Sequence, residues 1–179
     1  MDAILIFIVI VGLIALAAGA YLYQRNRRTE QLRERFGAEY ERTIESEGRI
    51  PGERDLAHRA ERVEKLEIHE LTAEDRTSFL ERWKEVQADF VDRPETAILS
   101  ADNLVQEVMA ARGYPVADFE QRAKDLSVQH AGVIEHYREA HRISELHRES
   151  PRSTEELRQA MIHYRALFSD LLGEVAARR

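Results

Sequence analysis

The chain has no cysteine and is poor in proline, glycine and aromatic residues. The lack of cysteine excludes disulfide bonds, thiolate metal sites and cysteine nucleophiles. It does not settle the compartment, because a chain of 179 residues can form a stable core without cross-links. With only 4 prolines and 8 glycines, few positions interrupt a helix. Abundant alanine, glutamate, arginine and leucine at helical spacing predict an all-α protein.

An excess of basic charge is also missing. The 33 acidic residues outnumber the 26 basic ones and give a net charge of −7. Nonspecific nucleic-acid binding requires a basic surface that neutralises phosphates. We therefore expect no nucleic-acid partner.

The one long apolar run covers residues 3–23 and contains no charged side chain. A helix of this length spans about 31 Å, which matches the hydrocarbon core of a bilayer. Tyr21 and Tyr23 end the run, where interfacial aromatic residues are common. The pattern predicts one N-terminal transmembrane helix, with membrane lipid as the partner of residues 3–23.

A cleaved signal peptide is the alternative, because Ala18, Gly19 and Ala20 have the small-x-small form of a cleavage site. Three features favour a retained anchor. No Lys or Arg precedes the run, the run is longer than a usual signal core, and the positive charge follows it. An exported, processed domain stays as the less favoured interpretation.

The flanking charges predict the orientation. Between residues 24 and 35 there are five arginines: Arg25, Arg27, Arg28, Arg33 and Arg35. Positive flanks stay on the cytoplasmic side, so we expect the N-terminus outside and the C-terminal domain in the cytoplasm. Within the run, Gly12, Ala15 and Gly19 share a face that could support self-association.

Residues 25–71 are predicted to form a charged juxtamembrane stalk after the anchor at 1–24. Leu32, Phe36, Tyr40 and Ile44 make a thin apolar stripe. The segment "EGRIPGER" (47–54) should break the helix, and a helical pattern resumes over 53–66. So thin a stripe needs a partner, either elsewhere in the stalk or in a second copy.

Residues 72–179 carry the signals of a helical bundle. Thr72 with Asp75 and Ser153 with Glu156 resemble capping boxes. Pro94 suits the first turn of a helix, and Gly113 suits the residue after a helix end. The last helix has a seam at spacings of four and three, suited to a bundle interior or a partner helix: Leu157, Met161, Tyr164, Phe168, Leu171 and Val175.

Motifs for chemistry are scarce in the sequence. The seven histidines do not share the spacing of three or four residues that places two ligands on one helix face. No Gly-rich phosphate loop and no nucleophile elbow occurs. We assign no catalytic, cofactor-binding or metal-binding residue.

One stretch, residues 112–130, is unusual for a scaffold because it mixes aromatic and charged residues between two helices. Arg112, Tyr114, Asp118 and His130 are its candidates for an enzyme site or a small-ligand site. The competing interpretation is structural: Tyr114 and Phe119 close the end of the bundle, and Asp118 caps a turn.

Several segments carry a resemblance to a family: residues 111–130, "RFGAEYERT" (35–43), "FLERWKEVQADFVDRP" (79–94) and "STEELRQAMIHYRALFSDLL" (153–172). They resemble an uncharacterised family of bacterial single-pass membrane proteins with a helical C-terminal domain. The resemblance implies a bacterial plasma membrane location and supplies no catalytic residue. The sequence as a whole favours a membrane-anchored, non-enzymatic interaction or scaffold module, with a protein partner or a second copy.

Overall fold

A computed structural model describes residues 2–115 and 118–173, with backbone only for residues 2–6, 8 and 9. Within these residues the chain forms eight α-helices and no strand. The helices are α1 (Asp2–Phe36), α2 (Ala38–Glu47), α3 (Arg49–Glu64), α4 (Ala73–Asp92), α5 (Pro94–Ala111), α6 (Phe119–Ser127), α7 (Ile134–Glu149) and α8 (Thr154–Leu171). The prediction of an all-α protein is confirmed.

The chain divides into two compact units, Met1–Leu56 and Ala57–Arg179, with the boundary inside α3. We call them the first unit and the second unit. The predicted division into segments 1–24, 25–71 and 72–179 stays a prediction.

The first unit contains α1, α2 and the start of α3. α1 ends at Phe36, and Gly37 makes the turn to α2 with φ of 52°, a conformation that favours glycine. The predicted break at 47–54 is shorter than expected, because α3 begins directly after Gly48. Pro51 fits there, because backbone N–H groups in the first turn have no acceptor within the helix. A proline at this position therefore removes no helical hydrogen bond.

The thin apolar stripe of the first unit is buried. Leu32, Phe36 and Tyr40 are almost inaccessible to solvent, and Ile44 is partly covered. Contacts of α2 with α1, and of Ile44 and Thr43 with Gly52 at the start of α3, provide this cover. The helices of the stalk therefore cover part of this apolar stripe themselves.

The second unit is a bundle in which α5 packs against α4 and α8, α8 packs against α7, and α6 lies beside α7. Trp83 of α4 stacks on Phe168 of α8, with ring centroids 4.6 Å apart. The described residues of the α8 seam are buried inside this bundle, and Val175 lies outside the described residues. The prediction of a helical bundle is confirmed.

The predicted helix ends in the second unit are also found. Ser153 and Glu156 form a reciprocal capping box, and Thr72 accepts a hydrogen bond from the Asp75 backbone N–H at 3.0 Å. Pro94 begins α5, and Gly113 follows its end with φ of 90°. Local sequence signals therefore set these boundaries.

Among the described residues, none of the helices combines the length and the apolar character needed to cross a membrane. The predicted span of residues 3–23 is thus not supported by the structure. The side chains of residues 3–6, 8 and 9, which belong to that span, lie outside the described residues.

Candidate functional site

Three of the four candidates from residues 112–130 meet at one end of the bundle. Arg112 ends α5, Tyr114 follows it, and His130 lies in the turn between α6 and α7. Asp118 does not join them, because its side chain caps α6 by accepting a hydrogen bond from the Gln121 backbone N–H at 2.9 Å. Of the two interpretations, the structural one describes Asp118 correctly.

His130 lies between an acidic side chain and a basic one. Its Nδ1 is 2.5 Å from Oδ2 of Asp170, and its Nε2 is 3.3 Å from Nη1 of Arg112. A guanidinium can only donate, so Nε2 accepts and Nδ1 carries the proton that is donated to Asp170. Both ring nitrogens are therefore engaged, which leaves no free lone pair for proton abstraction from a substrate.

Asp170 was missed by sequence reasoning. It stands 40 residues from His130 on a different helix, and no motif or spacing links the two. The apolar seam of α8 predicted that residues next to Asp170 are buried. It did not predict that the Asp170 carboxylate would face the turn between α6 and α7.

The guanidinium and the backbone carbonyl of Arg112 connect two further segments. Nη1 donates to the Leu171 carbonyl oxygen at 3.0 Å, and the His69 backbone N–H donates to the Arg112 carbonyl oxygen at 3.0 Å. The cluster thus fastens the ends of α5 and α8 and the segment before α4. Its geometry is that of a structural clasp.

Tyr114 is a core residue. Only 3% of its surface is exposed, and its hydroxyl donates to Oε1 of Gln129 at 3.0 Å. Burial raises the pKa of Tyr114 to about 12, so the phenol stays protonated at neutral pH. With Phe119 packed against the core, Tyr114 closes the bundle end, as the structural interpretation expected.

The only candidate that lines the neighbouring cavity is Arg112. This cavity has a volume of about 240 Å³ and includes Arg76, Glu70, Leu171 and Gly173 in its wall. Ligand pockets usually measure about 300–1,000 Å³. Tyr114 and His130 do not contribute to it, so the arrangement does not assemble a pocket from the candidate residues.

A larger cleft lies wholly within the first unit. It has a volume of about 450 Å³ and is lined by Tyr21, Gln24, Arg25, Arg28, Ile50, Glu53 and Arg54. Arg25 and Arg28 are three positions apart and so share a face of α1. Arg54 comes from α3, so three arginines line one space.

Glu53 lies in the wall of this cleft, which we call the arginine cleft. Its Oε1 accepts hydrogen bonds from Thr29 of α1 at 2.9 Å, Tyr40 of α2 at 2.9 Å and Arg49 at 3.2 Å. Burial acts to raise the pKa of Glu53, but these hydrogen bonds together outweigh it and hold the pKa below its usual value. The carboxylate is therefore ionised and ties three helices together at neutral pH.

Close packing of α3 on α2 depends on Gly52. A Cβ atom added there would lie 2.9 Å from Cδ1 of Ile44 and 3.3 Å from the Thr43 carbonyl oxygen. The glycine next to Glu53 thus permits the approach that places the carboxylate against Tyr40. Sequence reasoning treated this glycine only as a helix breaker.

Two histidines of the bundle lie close enough together to suggest a metal site. His136 and His163 approach each other across α7 and α8, with their Nδ1 atoms 2.9 Å apart. In the described ranges 2–115 and 118–173, no three His, Cys, Asp or Glu residues are arranged to hold a metal ion. The pair alone provides two ligands, fewer than the three protein ligands of a catalytic zinc site.

Comparisons of this chain with protein-family models, curated proteins and solved structures find no match. The resemblance to bacterial single-pass membrane proteins therefore stays a prediction.

Proposed function

We propose that this protein is a membrane-anchored interaction or scaffold module. Residues 3–23 anchor it in the bacterial plasma membrane, and the helical bundle that begins near residue 72 faces the cytoplasm. The bundle presents its surface to a protein partner or to a second copy of the chain.

The uncovered apolar surface of α1 is the observation that carries the proposal. Its large apolar side chains from Phe7 to Tyr23 that the structure describes are exposed, from 48% at Val11 to 73% at Leu16. Apolar surface in contact with water costs about 25 cal/mol per Å². A contiguous exposed patch of this kind marks a membrane or protein contact, and its length fits a bilayer.

The charge on either side of this surface supports the orientation. Arg25, Arg27 and Arg28 follow the apolar run, and the residues before it include no Lys or Arg. Basic residues are retained on the cytoplasmic side of a membrane. The chain that follows Arg28 would then lie in the cytoplasm.

The bundle-end cluster supports a non-enzymatic role over the alternative of an enzyme or small-ligand site at 112–130. His130 is engaged on both nitrogens, and Asp118 is a helix cap. An active site needs groups that face a substrate-sized space. At this end of the bundle Arg112 and His130 contact each other, and of the candidates only Arg112 lines the small neighbouring cavity.

Charge substitution in the apolar run tests the anchor. The run holds twelve Leu, Ile, Val and Phe residues, which favour insertion by about 0.3–0.6 kcal/mol each, or about 4–7 kcal/mol together. Two arginines near its centre cost about 5–7 kcal/mol. We expect Leu13→Arg with Leu16→Arg to release the protein from membranes washed in alkaline carbonate, whereas the wild-type chain stays.

A matched control is available in the second unit. Val91 and Leu99 are exposed apolar residues outside the run, so Val91→Arg with Leu99→Arg adds the same charge at the bundle surface. This variant should stay in the membrane fraction. A wild-type chain that washes off, or equal behaviour of the two double variants, contradicts the anchor.

Crosslinking in intact bacterial cells tests the interaction role. The full chain carries a C-terminal tag, and mass spectrometry identifies both its N-terminus and the crosslinked proteins. A retained N-terminus with a reproducible protein partner or a crosslinked second copy is the expected result. A mature N-terminus near Tyr21 would instead indicate an exported domain, and the absence of any crosslinked protein would favour a ligand site.

A further inference from the structure

We infer that the arginine cleft binds the phosphate of an anionic membrane phospholipid. This inference rests on the proposed anchor, because it requires that residues 3–23 lie in a bilayer. The cleft begins at Tyr21, next to the end of the apolar run, so it would lie at the level of the lipid head groups.

Three guanidinium groups give the cleft its chemistry. Among the described residues, no side chain forms an ion pair or hydrogen bond with Arg25, Arg28 or Arg54. Other arginines of the first unit are paired, as Arg33 is with Glu41 at 3.2 Å and Arg49 is with Glu53. The planar fork of an arginine donates two parallel hydrogen bonds to a phosphate.

The one carboxylate in the wall does not cancel this charge. Oε1 of Glu53 already accepts from Thr29, Tyr40 and Arg49, and Arg49 balances its charge. Three positive charges therefore remain for a ligand. A phosphate carries one or two negative charges, so its capture leaves no uncompensated anion in the cleft.

The cleft is also formed before any ligand arrives. The hydrogen bonds to Glu53 join α1, α2 and α3, which keep Arg54 in one cleft with Arg25 and Arg28. Its volume of about 450 Å³ exceeds that of a phosphate and suits a head group with part of the glycerol. Tyr21 and Ile50 add an aromatic and an aliphatic wall, which suit the apolar part of a lipid.

A membrane lipid fits this cleft better than a soluble phosphate compound does. Basic residues immediately beside a membrane-spanning helix attract anionic lipids, whose local concentration at the surface is high. A soluble phosphate compound would contact the same guanidinium groups, but it has no acyl chains to contact the adjacent apolar run. Competition by inorganic phosphate separates the two sources.

Native mass spectrometry of the full chain, purified in a non-ionic detergent, measures lipid binding directly. Phosphatidic acid, phosphatidylglycerol and phosphatidylcholine are each titrated into the wild-type protein. We expect the two anionic lipids to bind and the zwitterionic one to bind at least tenfold more weakly. Inorganic phosphate and glycerol 3-phosphate at equal concentration should leave the bound lipid in place.

Arg54→Gln is the test variant, because Arg54 lies outside the flank that sets orientation. Loss of one charge-assisted contact should weaken anionic lipid binding on the order of tenfold. Arg27→Gln is the matched control. Arg27 is equally close to the apolar run, but its guanidinium lies over the Tyr23 ring at 5.2 Å and does not line the cleft. It should change binding less than about twofold if the cleft, rather than general charge, holds the lipid.

Each other outcome overturns the inference in a recognisable way. Equal weakening by the two variants would indicate general attraction to a basic flank. Displacement of the lipid by inorganic phosphate would indicate a site for soluble anions. Carbonate-washed membranes from the same cells separate the two proposals. A wild-type chain that washes off overturns both, whereas a retained chain without lipid preference overturns only this inference.

Discussion

Gly113 follows the end of α5 and lies close to Glu67 in the segment before α4, and replacing it with alanine should destabilise the bundle. Its φ of 90° lies in the region that residues with a Cβ atom rarely adopt. A Cβ atom at this position would lie 2.3 Å from the Glu67 carbonyl oxygen, well inside van der Waals contact. That oxygen belongs to the backbone, so rotation of a side chain cannot relieve the clash.

Two contributions set the size of the effect. A positive φ costs a non-glycine residue about 1–2 kcal/mol. Relief of the clash must move the chain near Glu67 and so disturb the hydrogen bond from the His69 N–H to the Arg112 carbonyl oxygen, at 3.0 Å. A typical hydrogen bond contributes about 0.5–1.5 kcal/mol. Gly113→Ala should therefore lower the free energy of unfolding by about 2–3 kcal/mol.

Trp83 provides the assay, since it is the only tryptophan of the chain. It is buried against Phe168 in the second unit, so its fluorescence reports loss of bundle packing. The full chain is unfolded in urea in a mild detergent. With a slope of about 1–3 kcal/mol per M of urea, the midpoint for Gly113→Ala should fall by roughly 0.7–3 M.

Gly132 supplies the control. It has no φ in the positive region, and no atom lies within 4 Å of the position that its Cβ would take. Gly132→Ala should leave the free energy of unfolding unchanged or raise it by at most about 1 kcal/mol, because alanine reduces the entropy of the unfolded chain. Equal midpoints for Gly113→Ala and the wild type would refute the reasoning about the clasp.

Three further outcomes follow from the second unit. Burial lowers the pKa of His163 below 6.5, so the unfolded state binds the proton more readily than the folded state. The free energy of unfolding should therefore fall as the pH drops below about 6.5. His163→Gln should reduce this pH dependence, as measured by urea titrations at several pH values. Tyr164→Phe removes the hydroxyl that donates to buried Asp102 at 3.1 Å and should cost about 1–3 kcal/mol by the same fluorescence assay; an unchanged midpoint would mean that the carboxylate needs no such donor. Arg82→Gln breaks an exposed bidentate pair with Glu107 and should cost less than about 1 kcal/mol at low salt and less again at high salt; a larger, salt-independent loss would contradict the solvent-screened interpretation.

Helix boundaries in the bundle could be predicted because their causes are local. Ser153 and Glu156 form hydrogen bonds with backbone groups within one turn, and Gly113 adopts a positive φ because it has no Cβ atom. Pro51 shows the limit of such signals. Proline both breaks a helix interior and fits a first turn, and only the position of Gly48 decided that α3 starts before it.

The candidate region could be found from the sequence, but its role could not. Aromatic and charged residues concentrate in 112–130, yet Asp170 and Leu171 decide what Arg112 and His130 do. These partners come from the end of a helix that begins more than twenty residues later. A hydrogen bond between distant segments leaves no periodicity in the sequence.

For the arginine cleft, too, the sequence predicted one part and the tertiary structure decided the other. The sequence placed Arg25 and Arg28 beside the apolar run and assigned them an orientation role, because charge and hydropathy can be read along the chain. Only the packing of α3 brought Arg54 into one cleft with them, where Gly52 allows the close approach and the hydrogen bonds of Glu53 stabilise it. By itself the sequence determined composition, helical class, helix ends and the apolar run, because these depend on neighbours within a few residues. The tertiary structure decided which distant side chains meet, because long-range contacts depend on how all the helices pack at once.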